Sequence, residues 1–172
     1  LWALKDEYIG EWKNNLKHGF GEMKWAYGHT YKGEWKNDQK EGQGEFYHRN
    51  GSVYKGGWKN NLKYGFGEQT WPNGNYYKGE YKNDLMCGFG EYKWVNGDFY
   101  KGEWKDNVRC GSGEFTWAND GLYKGEFKDN KMWGFGECKW VNGERYKGQY
   151  KDDKREGEGK EICANGAGYE GY

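Results

Sequence analysis

Aliphatic residues and proline are scarce: the 172-residue chain has one Pro, and only 20 of its side chains are Leu, Ile, Val or Phe. In a highly charged chain, that shortage argues for disorder. Surplus charge is also missing, because Lys plus Arg and Asp plus Glu each number 27. Phosphate binding needs Lys and Arg gathered in excess, so the balance argues against a nucleic-acid partner. No apolar run reaches the ~18 residues that span a bilayer. Leu1-Trp2-Ala3-Leu4 is too short for a secretory core, and a soluble, intracellular chain is expected. Cys87, Cys110, Cys138 and Cys163 show no C-x-x-C spacing, so they read as reduced packing thiols. What the chain does have is rings and glycines: 11 Trp, 16 Tyr, 8 Phe and 31 Gly. Its apolar surface is aromatic, and the chain is expected to fold.

The rings are periodic. Tyr8, Tyr31, Tyr54, Tyr77, Tyr100, Tyr123, Tyr146 and Tyr169 follow one another at a constant interval of 23, the mark of a repeat array in which each unit buries its apolar face against its neighbours. The array divides into a lead-in (1–7), seven repeats (8–30, 31–53, 54–76, 77–99, 100–122, 123–145 and 146–168) and the start of another (169–172). With no initiator Met and an incomplete last repeat, the chain reads as a stretch of a longer array with unprotected ends.

Counting each repeat from its tyrosine as place 1, places 1, 3 and 5 read aromatic, glycine, aromatic (Tyr31, Gly33, Trp35), and the even places between are mostly charged. That alternation of period two predicts a strand with rings on one face and ions on the other. Places 7 and 8 are Asn or Asp in every repeat, from Asn14-Asn15 to Asp152-Asp153, which suits a tight hairpin turn. A second strand with paired glycines follows, usually ending near Asn-Gly. The expected fold is therefore all-β: an elongated, single-layer antiparallel meander of consecutive β-hairpins, about fourteen strands spaced ~4.8 Å apart and curled by strand twist into a trough. A register in which paired places sum to seventeen would set Trp35 opposite Gly42, Gly33 opposite Gly44 and Lys32 opposite Glu45. It would also pair Lys78 with Glu91 and Lys101 with Glu114. Asp120-Gly121 displaces one turn glycine by a place, and a local bulge is expected there.

No catalytic, cofactor or metal site is expected. His18, His29 and His48 occupy three different places. Gly166-Ala167-Gly168-Tyr169-Glu170-Gly171 matches G-x-G-x-x-G without the helix that a dinucleotide site requires. The carboxylates recur uniformly, whereas acid–base catalysis needs two in unlike environments.

The pattern Y-x-G-x-[WYF]-x-[ND]-x4-G-x-G at a period of 23 resembles the MORN (membrane occupation and recognition nexus) family over Tyr8 to Tyr172. Family members form groove-bearing β-rods, and the resemblance implies a scaffold or adaptor role. Asp6-Glu7-Tyr8-Ile9-Gly10-Glu11-Trp12 is similar to a boundary in radial spoke head members, which implies a cilium or flagellum axoneme, or another cytoskeletal assembly. Partners are then other proteins, and edge-to-edge or homodimeric association is open to exposed strands. The candidate partner-binding groove is Tyr77, Tyr81, Trp94, Tyr100, Trp104, Trp117, Tyr123, Phe127 and Trp140. Phe20, Phe66, Phe89 and Phe135 form a second stripe on the charged face. Two alternatives stand beside this reading. One is a lipid-binding surface of Lys78, Lys82, Lys101, Lys105, Lys124 and Lys128, which matching Glu residues weaken. The other is an appendage of an enzyme elsewhere in the parent chain.

Overall fold

The computed structural model describes residues 5–171. The first four residues of the expected lead-in, and Tyr172 of the final stub, lie outside the described residues. All regular structure among the described residues is β-strand. Two compact units divide the chain, Leu1–Leu85 and Met86–Tyr172. The first carries β1 (Glu7–Lys13), β2 (Leu16–Lys24), β3 (Thr30–Lys36), β4 (Gln39–Tyr47), β5 (Val53–Lys59), β6 (Leu62–Thr70) and β7 (Tyr76–Lys82). The second carries β8 (Leu85–Lys93), β9 (Phe99–Lys105), β10 (Val108–Thr116), β11 (Leu122–Lys128), β12 (Lys131–Lys139), β13 (Arg145–Lys151), β14 (Lys154–Ile162) and β15 (Gly168–Gly171). Within each unit, successive strands pair antiparallel in chain order, giving a meander of hairpins.

Both turn types follow from residue chemistry. At places 7 and 8 the Asn and Asp residues take φ of 49–52° and 61–70°, the left-handed pair of a type I′ turn, which matches strand twist. The wider loop opens at place 18: Trp25 N–H donates to the His29 carbonyl (3.0 Å) and Gly28 N–H to the Trp25 carbonyl (2.8 Å). Asp120 stands where other repeats have the loop glycine and takes φ 65° itself. The loop bonds of Trp117 are the usual ones, Trp117 N–H to Gly121 and Asp120 N–H to Trp117, both 2.9 Å. Pairing of β10 with β11 runs on without a shift. The bulge expected at Asp120-Gly121 is therefore absent, because Asp tolerates the left-handed conformation.

The expected register holds over half of each hairpin that lies within one unit. Tyr31 opposes Phe46, Lys32 opposes Glu45 and Gly33 opposes Gly44, but Trp35 then opposes Lys40 rather than Gly42. The two-residue turn fixes the pairing beside it, and a bulge containing Gly42 (φ 60°) absorbs the difference of two residues. Glu34 holds that bulge, since its Oε1 accepts the Gln43 N–H at 2.8 Å. Equivalent bonds run from Phe20 N–H to Glu11 (2.9 Å) and from Ser112 N–H to Glu103 (2.9 Å). The glycine opposite Trp35 is Gly19, in the preceding repeat.

Glycine and tyrosine together form the core. Tyr31 lies flat over Gly33 and Gly44, where an added Cβ would come within 2.6 and 2.4 Å of its hydroxyl, and that hydroxyl donates to the Glu34 carbonyl (3.0 Å). Tyr54, Tyr100 and Tyr123 repeat the bond at 3.0 Å, and Tyr77 at 3.1 Å. Rings at places 1 and 5 alternate edge to face. In the first unit, Tyr31–Trp58, Tyr54–Trp58, Tyr54–Tyr81 and Tyr77–Tyr81 have centroids 5.2–5.4 Å apart. In the second, Tyr100–Phe127, Tyr123–Phe127 and Tyr123–Tyr150 lie at 5.0–5.2 Å. Each contact of this kind adds about 0.5–1.5 kcal/mol beyond its burial, so a single sheet can be stable with few aliphatic side chains.

Candidate functional site: the aromatic face and its cations

Six of the nine predicted groove residues are sealed into that ladder. Tyr77, Tyr100 and Tyr123 are fully buried, and Tyr81, Trp104 and Phe127 nearly so. They form the floor of the aromatic face. Trp94, Trp117 and Trp140, at place 18, are half-exposed at the start of the wide loops. Trp94 packs on Tyr92 (4.4 Å) and Phe115 (5.6 Å), and Trp117 on Phe115 (5.2 Å). On the opposite face, Phe20, Phe66, Phe89 and Phe135 are each more than half exposed.

The aromatic face also carries cations that the alternation argument missed. Place 10 pairs with place 5, so its side chain shares the ring face: Lys40 opposite Trp35, Lys63 opposite Trp58, Arg109 opposite Trp104. Lys40 Nζ sits 3.9 Å from the Trp58 ring centroid, 4.5 Å from Phe46 and 5.6 Å from Tyr31. Burial pushes its pKa down to about 8, partly offset by Asp84. Lys63 is also lowered by burial, and its ammonium donates to Gln69 Oε1 (2.6 Å). The Arg109 guanidinium lies 5.2–5.6 Å from the rings of Trp94, Tyr100, Phe115 and Phe127. The signal was a column in the sequence: place 10 reads Lys17, Lys40, Lys63, Met86, Arg109, Met132, Arg155.

Each unit has an open cavity beside such a cation. Lys40, Phe46, His48, Trp58, Asn61, Lys63 and Asp84 line one of about 330 Å³. Arg109, Phe115, Trp117, Phe127, Asn130, Met132 and Asp153 line one of about 270 Å³. The two linings occupy identical repeat places. Burial, with His29, Lys63 and Lys40 nearby, lowers the His48 pKa, which favours its neutral form.

On the outer face, lysines at place 2 pair with the glutamate of the preceding repeat: Lys78–Glu68 at 3.0 Å and Lys101–Glu91 at 2.9 Å. Lys101 stands opposite Glu114 in the strand register, as expected, while its ammonium pairs with Glu91 of the preceding repeat. Exposed pairs of this kind stabilise little. All four cysteines are free thiols. Among the described residues, no group of three or more His, Cys, Asp or Glu could hold a metal ion.

An array of type I′ hairpins closed by a Tyr–Gly–Gly stack defines a repeat class, and the family model described as MORN repeat matches residues 8–30, 31–53, 54–76, 77–99, 100–121, 123–145 and 146–168. The chain belongs to the MORN-repeat family. No curated protein sequence matches it. Among solved structures, the fold is similar to the Drosophila melanogaster SAS-4 (dCPAP) TCP domain in complex with a proline-rich motif of Ana2 (dSTIL). The TM-score is 0.58 at 12% identity, covering 96% of this chain and 88% of that one. A match to the Danio rerio CPAP TCP10 domain in complex with a STIL peptide has a TM-score of 0.31 at 8% identity, covering 96% and 94%.

Proposed function

We propose that these MORN repeats are a non-enzymatic scaffold that binds an extended protein segment along the aromatic face. The observation that carries this reading is the open, ring-lined cavity in each unit, set on a closed aromatic floor. In the second unit, half-exposed Trp94, Trp117 and Trp140 offer their ring surfaces above Tyr100, Trp104, Tyr123 and Phe127. Tyr77 and Tyr81 continue the floor of the first. Rigid, half-desolvated tryptophans are typical anchors of protein interfaces. The SAS-4 domain's complex with a proline-rich motif makes such a segment the partner chemistry to test first, and aromatic grooves suit it because its bound conformation is already formed.

The functional array is read as repeats 8–30 through 146–168, preceded by a lead-in and followed by the start of another. The similarity of residues 6–12 to radial spoke head members supports an axonemal setting. Immunolocalisation of the protein outside the axoneme and other cytoskeleton would remove that setting without touching the binding reading.

Replacing Trp94 and Trp117 together by Ala, in a chain whose circular dichroism is unchanged, should weaken binding of the protein's main partner at least about tenfold. Unchanged affinity would overturn the aromatic-face reading. Salt-sensitive binding to anionic vesicles without capture of any protein would favour the lipid alternative.

A further inference from the structure

We infer that the Lys40 cavity is a carboxylate site that takes an acidic side chain of the extended partner segment, with the Arg109 cavity as its counterpart in the second unit. This rests on the aromatic-face reading and names the chemistry of the partner.

The cavity is built around a cation that no carboxylate contacts directly, Asp84 acting on it only across the cavity. At the first repeat boundary, the place-8 residue of the following turn is an acid, and Lys17 pairs with Asp38 at 3.4 Å. At the next boundary that place is Asn61, and among the described residues Lys40 forms no ion pair. Asn61 Oδ1 accepts the Lys40 backbone N–H (2.8 Å) and leaves the ammonium to the rings. Asp84, across the cavity, is engaged by the Lys63 backbone N–H (2.8 Å). Arg109 repeats the arrangement: its following turn offers Asn130, whose Oδ1 takes the Arg109 N–H at 2.8 Å and whose carbonyl takes Nη2 at 2.6 Å. A partly desolvated cation over aromatic faces, open on one side, suits an incoming carboxylate, because a charge-assisted bond gains strength where water is excluded. With Lys40 and Lys63 positive, Asp84 negative and His48 neutral, the lining has a net positive charge.

Spacing favours a polypeptide over a free anion. Successive repeats advance by two strands, about 9.6 Å, and a polyproline II segment advances about 9.3 Å in three residues. A segment lying along the face therefore presents every third residue to the same repeat place. An acid at every third position would pass Lys17, Lys40 and Lys63 in turn. Lys17 already holds Asp38, whereas neither Lys40 nor Lys63 forms an ion pair among the described residues, and the Lys63 ammonium is held by Gln69.

The test titrates the whole chain with two synthetic peptides, five Pro-Pro-Glu triplets and five Pro-Pro-Gln triplets, by calorimetry, following the Trp58 and Trp104 indole N–H signals by NMR. Wild type should prefer the glutamate peptide at least about tenfold, and salt should erode the preference. Lys40→Met with Arg109→Met should cut the preference below about twofold and leave the glutamine peptide's affinity unchanged. Met already occupies this place at Met86 and Met132. Should that variant not fold, Lys40→Gln with Arg109→Gln replaces it. Equal binding of both peptides by wild type would overturn the carboxylate site and leave the aromatic-face reading standing. A glutamate preference that survives both substitutions would overturn the site as well. Binding of neither peptide would overturn the inference and remove proline-rich segments as the partner class.

Discussion

At the scale of single residues, the place-1 tyrosine fills the space of two absent Cβ atoms and ties its hydroxyl to the bulge. Gly67 lies beneath Tyr54, and an added Cβ would stand 2.4 Å from the hydroxyl and 2.6 Å from Cε2. Gly67→Ala is therefore expected to cost about 3 kcal/mol by overpacking against a ring that cannot move aside, measured by urea unfolding. A loss below about 0.5 kcal/mol would mean that the stack is loose. Lys40 gives a second residue-scale expectation. Its folded pKa of about 8 lies below the ordinary lysine value, so the unfolded chain binds more protons between about pH 8 and pH 10, and stability from this group rises across that window. The charges facing it are Lys63 and Asp84, beside the rings of Tyr31, Phe46, His48 and Trp58. Lys40→Met should accordingly be more stable than wild type at pH 7, with the gap closing toward pH 10. A gap independent of pH would contradict the desolvation argument. Above that window the comparison ends, since burial also raises the Tyr31 and Tyr54 pKa values, and stability resting on their neutral phenols is lost as they ionise.

At the scale of the hairpin, the two turn residues have separate roles that a sequence treats alike. Both adopt left-handed backbone, but it is the place-8 side chain that accepts the place-10 backbone N–H of the preceding repeat. Asn61 N–H donates to the Lys40 carbonyl (3.0 Å) while its side chain accepts the Lys40 N–H (2.8 Å). Asn61→Gly keeps the turn and removes the side-chain bond, so a loss of about 1 kcal/mol is expected; Asn60→Gly should be close to neutral. Equal effects in chemical denaturation would show that the turn conformation alone matters. Strands and turns were legible in the sequence because alternation and Asn-Asp pairs repeat seven times. The Trp35–Gly42 pairing was misread because Gly42 looks like a packing glycine. Its left-handed φ and the Glu34 side chain that holds the bulge are visible only in three dimensions. Lys40 and Arg109 were missed for another reason: ions were assigned to one face, although the same register places position 10 among the rings.

At the scale of the whole molecule, strand pairings join neighbours in the chain, so stability should be distributed repeat by repeat. Residues 1–85 and 86–172, expressed separately, should each retain β-sheet circular dichroism and near-ultraviolet aromatic signals. Collapse of both halves to random coil would show that neither unit of the division at Leu85 is self-sufficient. The groove was legible in part. Half-exposed Trp94, Trp117 and Trp140 were found from the aromatic stripe, while the sealing of Tyr77, Tyr100 and Tyr123 depends on glycines beneath them that a one-dimensional pattern does not rank. The clasp between Asn61 and Lys40 has one more consequence. The residue whose amine would meet an incoming acid is the one whose amide fastens the second hairpin to the third, so occupancy should slow hydrogen exchange at the Lys40 amide and make that seam a built-in reporter of capture.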